Sequence, residues 1–265
     1  MVKQKRLAEI YSGIKTLKIQ GASNIAKAAI KAYTIKPSKE NENILKGLRP
    51  TEPMLINSID FFKRYGKEYV LRHFDEAQNK INWFVAKLIK SNMIIYTHCH
   101  STNVVKALVY AKKHGKKFSV YNTETRPLYQ GRITSKELAK AGIKVVEWVD
   151  AAMGSAITEA DLILIGADAI LKDGVINKVG SKAIAEISYL KKKPLYVVAD
   201  SWKFFRGNLK IEERDFREVW ENAPKRIKIK NPAFEKVDKK YIKGIISELG
   251  ILKFDKFVMK ARKNL

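Results

Sequence analysis

Cysteine is almost missing from this chain: Cys99 is the only one in 265 residues. A single thiol cannot close an intramolecular disulfide, which fits a reducing compartment and leaves open a reactive role for the thiol. Long apolar runs are missing too. No stretch approaches the roughly 18 consecutive apolar residues of a membrane-spanning helix. The opening MVKQKRLAEIYSG carries basic residues with no apolar segment behind them. The expectation is a cytoplasmic protein with no membrane partner. Acidic residues are scarce, 27 against 52 Lys and Arg, giving a formal net charge of +25. Such an excess suits partners that carry phosphate. The basic residues are spread along the whole chain, however, as on a solvated surface, so no specific nucleic-acid partner is expected. Strand-like runs are lacking in the first ninety residues.

What fills those residues is helical periodicity. Leu7, Ile10, Ile14 and Leu17 recur at three- and four-residue spacing, as do Ile81, Phe84, Val85, Leu88 and Ile89. Between them, Thr51-Glu52-Pro53 reads as a helix start, with Thr51 as cap and Pro53 in the first turn. QGAS at 20–23 and KPSKENEN at 36–43 read as turns or loops, with Ser23 placed to cap the following helix. After residue 90 the pattern changes. Short β-branched or aromatic runs, Met93–Tyr96, Phe118–Tyr121, Ile143–Val149, Leu162–Ile165 and Leu195–Val198, alternate with helical stretches. That alternation predicts βαβ units and a parallel sheet covered on both faces. The fold class is α/β: a helical domain over 1–90 followed by a Rossmann-like domain over 91–265. The basic tail Lys253–Leu265 is expected to pack or fray.

In an open parallel sheet, ligands bind beyond the carboxyl ends of the strands. The residues there are Cys99 and Ser101, then Glu124-Thr125-Arg126, Asp150, Gly166-Ala167-Asp168, and Asp200 with Lys203. All are expected to face one crevice. Asp168 follows LILIG, where a buried carboxylate is costly unless partnered or used. Cys99 precedes a helix expected over Ser101–His114, and a thiol facing a helix N-terminus and several cations should have a lowered pKa. His98 and His100 flank it and raise the question of a metal. Consecutive residues in extended chain point apart, and no second cluster supplies ligands, so no metal is expected. Asn177-Lys178-Val179-Gly180-Ser181 leads from a turn into an apolar helix, an arrangement able to hold an anion.

The runs ETRPLYQGRITSKELAKAGI, DAAMGSAITEADLILIGADAI, VINKVGSKAIAE and PLYVVADSWKF, together with LRPTEPML at 48–55, resemble one superfamily over nearly the whole chain. It joins sugar-1-phosphate aldose–ketose isomerases to the regulatory subunits of the exchange factor for translation initiation factor 2. In the isomerase branch a cysteine and an aspartate transfer protons, and they match Cys99 and Asp168 here. The regulatory alpha subunits lack that pair. Among the isomerases, the archaeal ribose-1,5-bisphosphate isomerases are similar in size.

The resemblance therefore implies conversion of ribose 1,5-bisphosphate, through an opened aldehyde form, into ribulose 1,5-bisphosphate, in salvage of nucleotides such as AMP. It implies no cofactor and at least a homodimer. Substrate contacts carried over from the family are Gln20, Gly21, Ala22, Ser23, Arg49, Ser101, Thr102, Asn103, Asn177, Lys178 and Lys203, with Arg126 as a further candidate. One position departs: isomerases usually show Arg-Gly-Ala where this chain has Gln20-Gly21-Ala22, which removes a charged bidentate contact to phosphate. The alternative is a non-catalytic regulatory subunit that binds initiation factor 2.

Overall fold

The computed structural model describes residues 2–16, 18–207, 209, 211 and 213–265. Among them the first ninety residues form α1 (Val2–Lys15), α2 (Ala22–Ile35), α3 (Lys39–Leu48) and α4 (Pro53–Leu88). Leu7, Ile10 and Ile14 are buried along α1 as their spacing requires; Leu17 lies outside the described residues. The polar stretch expected to be a loop instead opens α3. Ser38 accepts from Asn41 N, and the buried Asn41 amide donates to Ala32 O and Lys36 O. Glu42 is buried in that helix among Lys39, Lys46 and Lys63. Its bond to Lys46 outweighs burial and holds its carboxyl down at about 2. Polar composition here marks a buried ionic network and not exposed coil.

Two caps also differ from expectation. Glu52, not Thr51, occupies the cap position of α4, with Pro53 in its first turn, and Ser23 lies inside α2, where Gly21 is the cap residue. At Gly66, with φ 82° and ψ 175°, α4 breaks and resumes. Its first half packs with α1–α3 around Ile25, Leu45, Met54, Leu55 and Ile59, and Trp202 from the rest of the chain enters that cluster. Its last turns, through Ile81, Val85 and Ala86, pack with residues of the sheet.

The remainder is α/β. β1 (Met93–His98), α5 (Thr102–Lys113), β2 (Phe118–Thr123), α6 (Gln130–Lys140), β3 (Lys144–Trp148), α7 (Met153–Glu159) and β4 (Leu162–Ile165) come first. They are followed by β5 (Ala169–Ile170), β6 (Gly174–Lys178), α8 (Ser181–Leu190), β7 (Leu195–Val198), β8 (Phe234–Asp238), β9 (Gly244–Ser247), β10 (Gly250–Leu252) and α9 (Phe254–Asn264). The main sheet has the order β10-β9-β7-β4-β1-β2-β3 among the described residues. Its pairings are parallel except β9 with β10. Along β4 the faces alternate. Ile163 and Ile165 join the cluster under α8 and α9, while Leu162 and Leu164 join the cluster that includes α4, α5 and α6. The tail packs: Phe254, Phe257 and Ala261 of α9 are buried.

Two features position the site. Strand order reverses between β1 and β4, the switch point where an α/β sheet opens a crevice. Beside it, β5, β6 and β8 form a small antiparallel sheet that sequence reasoning did not foresee. All five residues of β6 are buried, so VINK shows no alternation and reads as a turn.

Candidate active site

At the end of β1 the chain turns sharply. Cys99 sits at φ 62°, a left-handed conformation that costs a residue with a Cβ on the order of 1 kcal/mol or more. Bonds on both sides fix it. Cys99 N donates to Thr125 Oγ1 at 3.0 Å, and Thr134 Oγ1 donates to Cys99 O at 2.8 Å. Thr125 is itself at φ 61°, and the Asp150 carboxylate accepts from Thr125 N and Arg126 N. The turn comes against β4 at Gly166, where an added Cβ would lie 2.6 Å from Ser101 Oγ. Glycine is required there for Cys99 and Asp168 to share one space.

They do share it. One cavity is lined by Gln20 to Ser23, Arg49, Cys99, Ser101 to Asn103, Asp168, Asn177, Lys178 and Lys203. These elements come from both halves of the chain. Lys203 Nζ donates to Ala167 O at 2.7 Å, next to Asp168. With its nitrogen turned toward the carboxylate, the Asn177 amide donates to Asp168 Oδ2 and to Gly166 O, both at 3.3 Å. Arg49 faces Glu52 at 3.3 Å, and its Nε is buried with no partner among the described residues. Lys178, the last residue of β6, is 6% exposed, and among the described residues its ammonium has no hydrogen bond or ion pair. An unneutralised buried cation is costly without an anion, so the cavity suits an anionic ligand.

Other strand-end residues are not brought in. Glu124, Thr125, Arg126, Asp150 and Asp200 do not line this cavity. Arg126 donates to Tyr129 Oη and Val219 O, tying loops together. Asp200 instead faces His73 of α4. For the loops after β2 and β3 the reason is topological, since those strands lie on the far side of β1 from β4; Asp200 follows β7, beside β4, and is drawn instead to α4.

The electrostatics correct one expectation. Burial pushes the Cys99 thiol up to about 12; the His100 N–H and Lys178 favour the thiolate, yet they do not offset burial and the nearby Asp168 and Asp150. Burial likewise raises Asp168, against the opposing charges of Lys203, Arg49, Lys178 and Arg214. Both groups therefore hold protons more tightly than they would in water.

The flanking histidines have separate duties. Val179 O accepts from His98 Nε2 at 2.9 Å, so His98 Nδ1 accepts from Thr123 Oγ1 at 2.7 Å. Burial keeps this imidazole neutral by lowering its pKa. An added Cβ at Gly180, φ 101°, would come within 3.0 Å of His98 Nε2, so the histidine presses on the turn that follows Lys178. His100 Nδ1 meets Thr134 Oγ1 at 3.1 Å. Among the described residues, the group of potential metal ligands is elsewhere: His73, Asp200 and Glu248.

Sequence reading missed Glu52, His98, Gln130 and Arg214 in the cavity wall. Gln130 opens α6, and its Oε1 is buried with no partner among the described residues. Neighbouring Gly131 packs so closely that a Cβ would fall 1.8 Å from Thr123 O. The signal was available in the QG pair of the ETRPLYQG run. Arg214 left no such signal, since it stands in the charged stretch EERDFRE.

Comparison with known proteins fits this geometry. The ribose 1,5-bisphosphate isomerase of Methanocaldococcus jannaschii is 36% identical, over 93% of this chain and 91% of that protein. A putative translation initiation factor eIF-2B subunit 2-like protein of Pyrococcus horikoshii is 31% identical, over 94% and 96%. The crystal structure of translation initiation factor eIF-2B from Pyrococcus horikoshii OT3 superposes with a TM-score of 0.83 at 30% identity, over 94% of this chain and 97% of that one. Matched from residue 18 to 254, the chain belongs to the Initiation factor 2 subunit family.

Proposed function

We propose that this protein is an aldose–ketose isomerase that converts ribose 1,5-bisphosphate into ribulose 1,5-bisphosphate, with Cys99 and Asp168 as its proton-transfer groups. The observation that carries this reading is the convergence of Cys99 and Asp168 in one cavity with Arg49, Lys178 and Lys203. A 36%-identical relative bearing the isomerase name supports it. The initiation-factor reading draws on the 31%-identical relative, but it gives no use to a thiol and a carboxyl held together among cations.

The chemistry refines the expected route. In ribose 1,5-bisphosphate O1 carries phosphate, so ring opening cannot yield a free aldehyde unless that phosphate departs. The balanced path is an elimination. The Cys99 thiolate takes the proton from C2, the C2–H electrons form a C1=C2 bond, the C1–O4 bond breaks, and the Asp168 carboxyl protonates O4. The enol so formed keeps phosphate on C1 and hydroxyl on C2. The Asp168 carboxylate then takes the O2 proton, C2=O forms, and the Cys99 thiol delivers its proton to C1. Ribulose 1,5-bisphosphate leaves with both phosphates, and both side chains are restored.

This assignment places the site's proton on Asp168 and not on Cys99 at the start. The raised Asp168 supports that state; the raised Cys99 makes it a minority form, favoured by Lys178. Seryl, threonyl and amide groups at 101–103 and Gln130 would orient the sugar hydroxyls. Nucleotide salvage, as a supplier of ribose bisphosphate, and assembly into at least a dimer belong to the same proposal. Exposed Phe216, Val219 and Trp220 support a buried contact between copies. No helix among the described residues is long and apolar enough to cross a membrane.

The test is incubation of the purified protein with ribose 1,5-bisphosphate, followed by detection of ribulose 1,5-bisphosphate. An inactive wild type sinks the reading.

A further inference from the structure

Four cations line the cavity, and two of them, Arg49 and Arg214, belong to no strand end. Arg214 lies between the turn at Ser201–Lys203 and β8, in a segment that folds back to the site. Arg214 N donates to Asn231 O at 2.9 Å, and the buried Asn231 amide donates to Asp215 O and to Glu218 Oε2. A bridge between Glu213 and Pro232 closes the base of this segment, and Arg126 Nη2 donates to Val219 O at 3.0 Å farther along. These contacts set the backbone of the arginine and of the segment around it. Its side chain is 11% exposed, and Glu218 lies 3.9 Å from one Nη.

It shares the cavity with another cation, Lys178. Arg214 is one of the charges that lower Lys178, after burial, and one that restrains the upward shift of Asp168. Two like charges brought together in a cavity repel; Glu218 offsets part of that repulsion, and an anionic ligand seated between them would offset the rest. The charge count agrees. A sugar bisphosphate carries about three to four negative charges near neutral pH, at roughly −1.5 to −2 per phosphate monoester. Arg49 is partly offset by Glu52, as Arg214 is in part by Glu218, and position 20 is glutamine. Lys178 and Lys203 alone fall short of that demand.

We infer that Arg214 is a substrate-binding residue that, together with Lys178, grips one phosphate of the sugar bisphosphate and so supplies the cation that Gln20 does not. This rests on the isomerase reading for the identity of the ligand. The planar guanidinium can bond two phosphate oxygens at once, which an ammonium cannot. Selectivity for a bisphosphate over a monophosphate follows from it.

The experiment compares wild type, Arg214→Gln and Arg214→Lys by calorimetric titration with ribulose 1,5-bisphosphate, ribose 5-phosphate and ribose 1-phosphate, alongside turnover. Arg214→Gln is expected to weaken ribulose 1,5-bisphosphate by about 30-fold or more and to raise KM, with kcat within about threefold; Arg214→Lys recovers part of the loss. The monophosphate that lacks the gripped phosphate should bind wild type and Arg214→Gln alike. Ribulose 1,5-bisphosphate affinity within about twofold of wild type overturns the inference. So does a uniform loss toward all three ligands with a lowered Tm, which marks a structural arginine. Tight, Arg214-dependent binding without turnover would sink the isomerase reading and leave the phosphate grip standing; turnover indifferent to Arg214 would do the reverse.

Discussion

Two acidic groups stand at the ends of adjacent strands, Asp168 half-buried and Asp200 buried, and they are handled in opposite ways. Asp168, after β4, is surrounded by Lys203, Arg49, Lys178 and Arg214, and its carboxyl still sits above its ordinary range because burial dominates. Asp200, after β7, shares its space with Glu248 and a single imidazole. Asp200 is 2% exposed, bonded to His73 Nε2 at 3.0 and 3.1 Å and to Trp202 N at 2.8 Å. Cations in excess around Asp168 leave room for an incoming anion. Carboxylates in excess around His73 do not. The second group instead holds structure: His73 stacks on Trp202 at 3.7 Å, Glu248 accepts from Ser201 N, and Asn57 donates to Trp202 O and Phe204 O. The turn so fixed is the one that carries Lys203 back to Asp168. In the proposed reaction one acid group works on substrate, and the other aims the lysine beside it.

The sharpest way to break that contrast is to remove the two proposed proton carriers of the cavity in turn. Asp168→Asn and Cys99→Ser should each lower turnover of ribose 1,5-bisphosphate by about a thousandfold or more, since each takes away a proton carrier. Neither should cost stability. Asp168→Asn replaces the carboxyl by a neutral amide of the same shape, so its Tm is expected to stay close to that of wild type. A large fall in Tm for that variant would assign Asp168 to structure and merge the two groups into one kind.

The lone thiol reports on the same site. With its pKa pushed to about 12, Cys99 should react with iodoacetamide about tenfold faster per pH unit from about pH 7 to about pH 10, with no plateau. Where Asp168 is ionised, toward the upper end of that range, Asp168→Asn removes a neighbouring negative charge and should speed alkylation, whereas Asp200→Asn should leave the rate alone. A plateau near neutral pH would show a thiolate already formed.

His73→Ala tests the structural side. It leaves Asp200 buried without its partner and removes the ring stacked on Trp202. The expected cost is about 2–4 kcal/mol of stability, read as a lowered denaturation midpoint. Turnover should fall far less than in Asp168→Asn, and chiefly through KM, because Lys203 loses its aim and the proton carriers keep theirs. Loss of kcat equal to that of Asp168→Asn would contradict the division.

How much of this stood in the sequence differs between the two groups for a physical reason. The strands ending at Ile165 and Val198 and the switch point were legible, because β-branched runs alternating with helical ones leave few topologies open. Cys99 and Asp168 could be named from their strand-end positions and from resemblance. The partner of Asp200 could not: His73 lies 127 positions away on a helix whose pattern says only which face is apolar. Lys178 was read in a turn because β6 is buried on both faces and lacks alternation. The thiol shift was read with the wrong sign because cations are visible in sequence and desolvation is not. Glu42 shows the same limit, since a polar run gave no hint that its glutamate would be buried among three lysines.

The smallest effect sharpens the contrast by pH. Burial, then the Asp200 charge, lifts Glu248 to about 7, and burial lowers His73 less than Asp200, Glu248 and Glu76 raise it. A carboxyl whose folded pKa exceeds its unfolded value of about 4.5 favours folding in its protonated form. Its contribution is complete below about pH 4.5 and is lost as pH rises through about 7. His73, also raised, loses its contribution in the same direction, above its ordinary value. Wild-type Tm should therefore fall by a few degrees between about pH 6 and about pH 8 through this group. Asp168 shifts in the same sense, so the comparison must be between variants. Glu248→Gln, which has no charge to bury, should flatten the decline while leaving the pH dependence of turnover intact. If the decline survives in Glu248→Gln and vanishes in Asp168→Asn, the pH-sensitive acid is the one in the cavity, and the stabilising group at His73 is silent to pH.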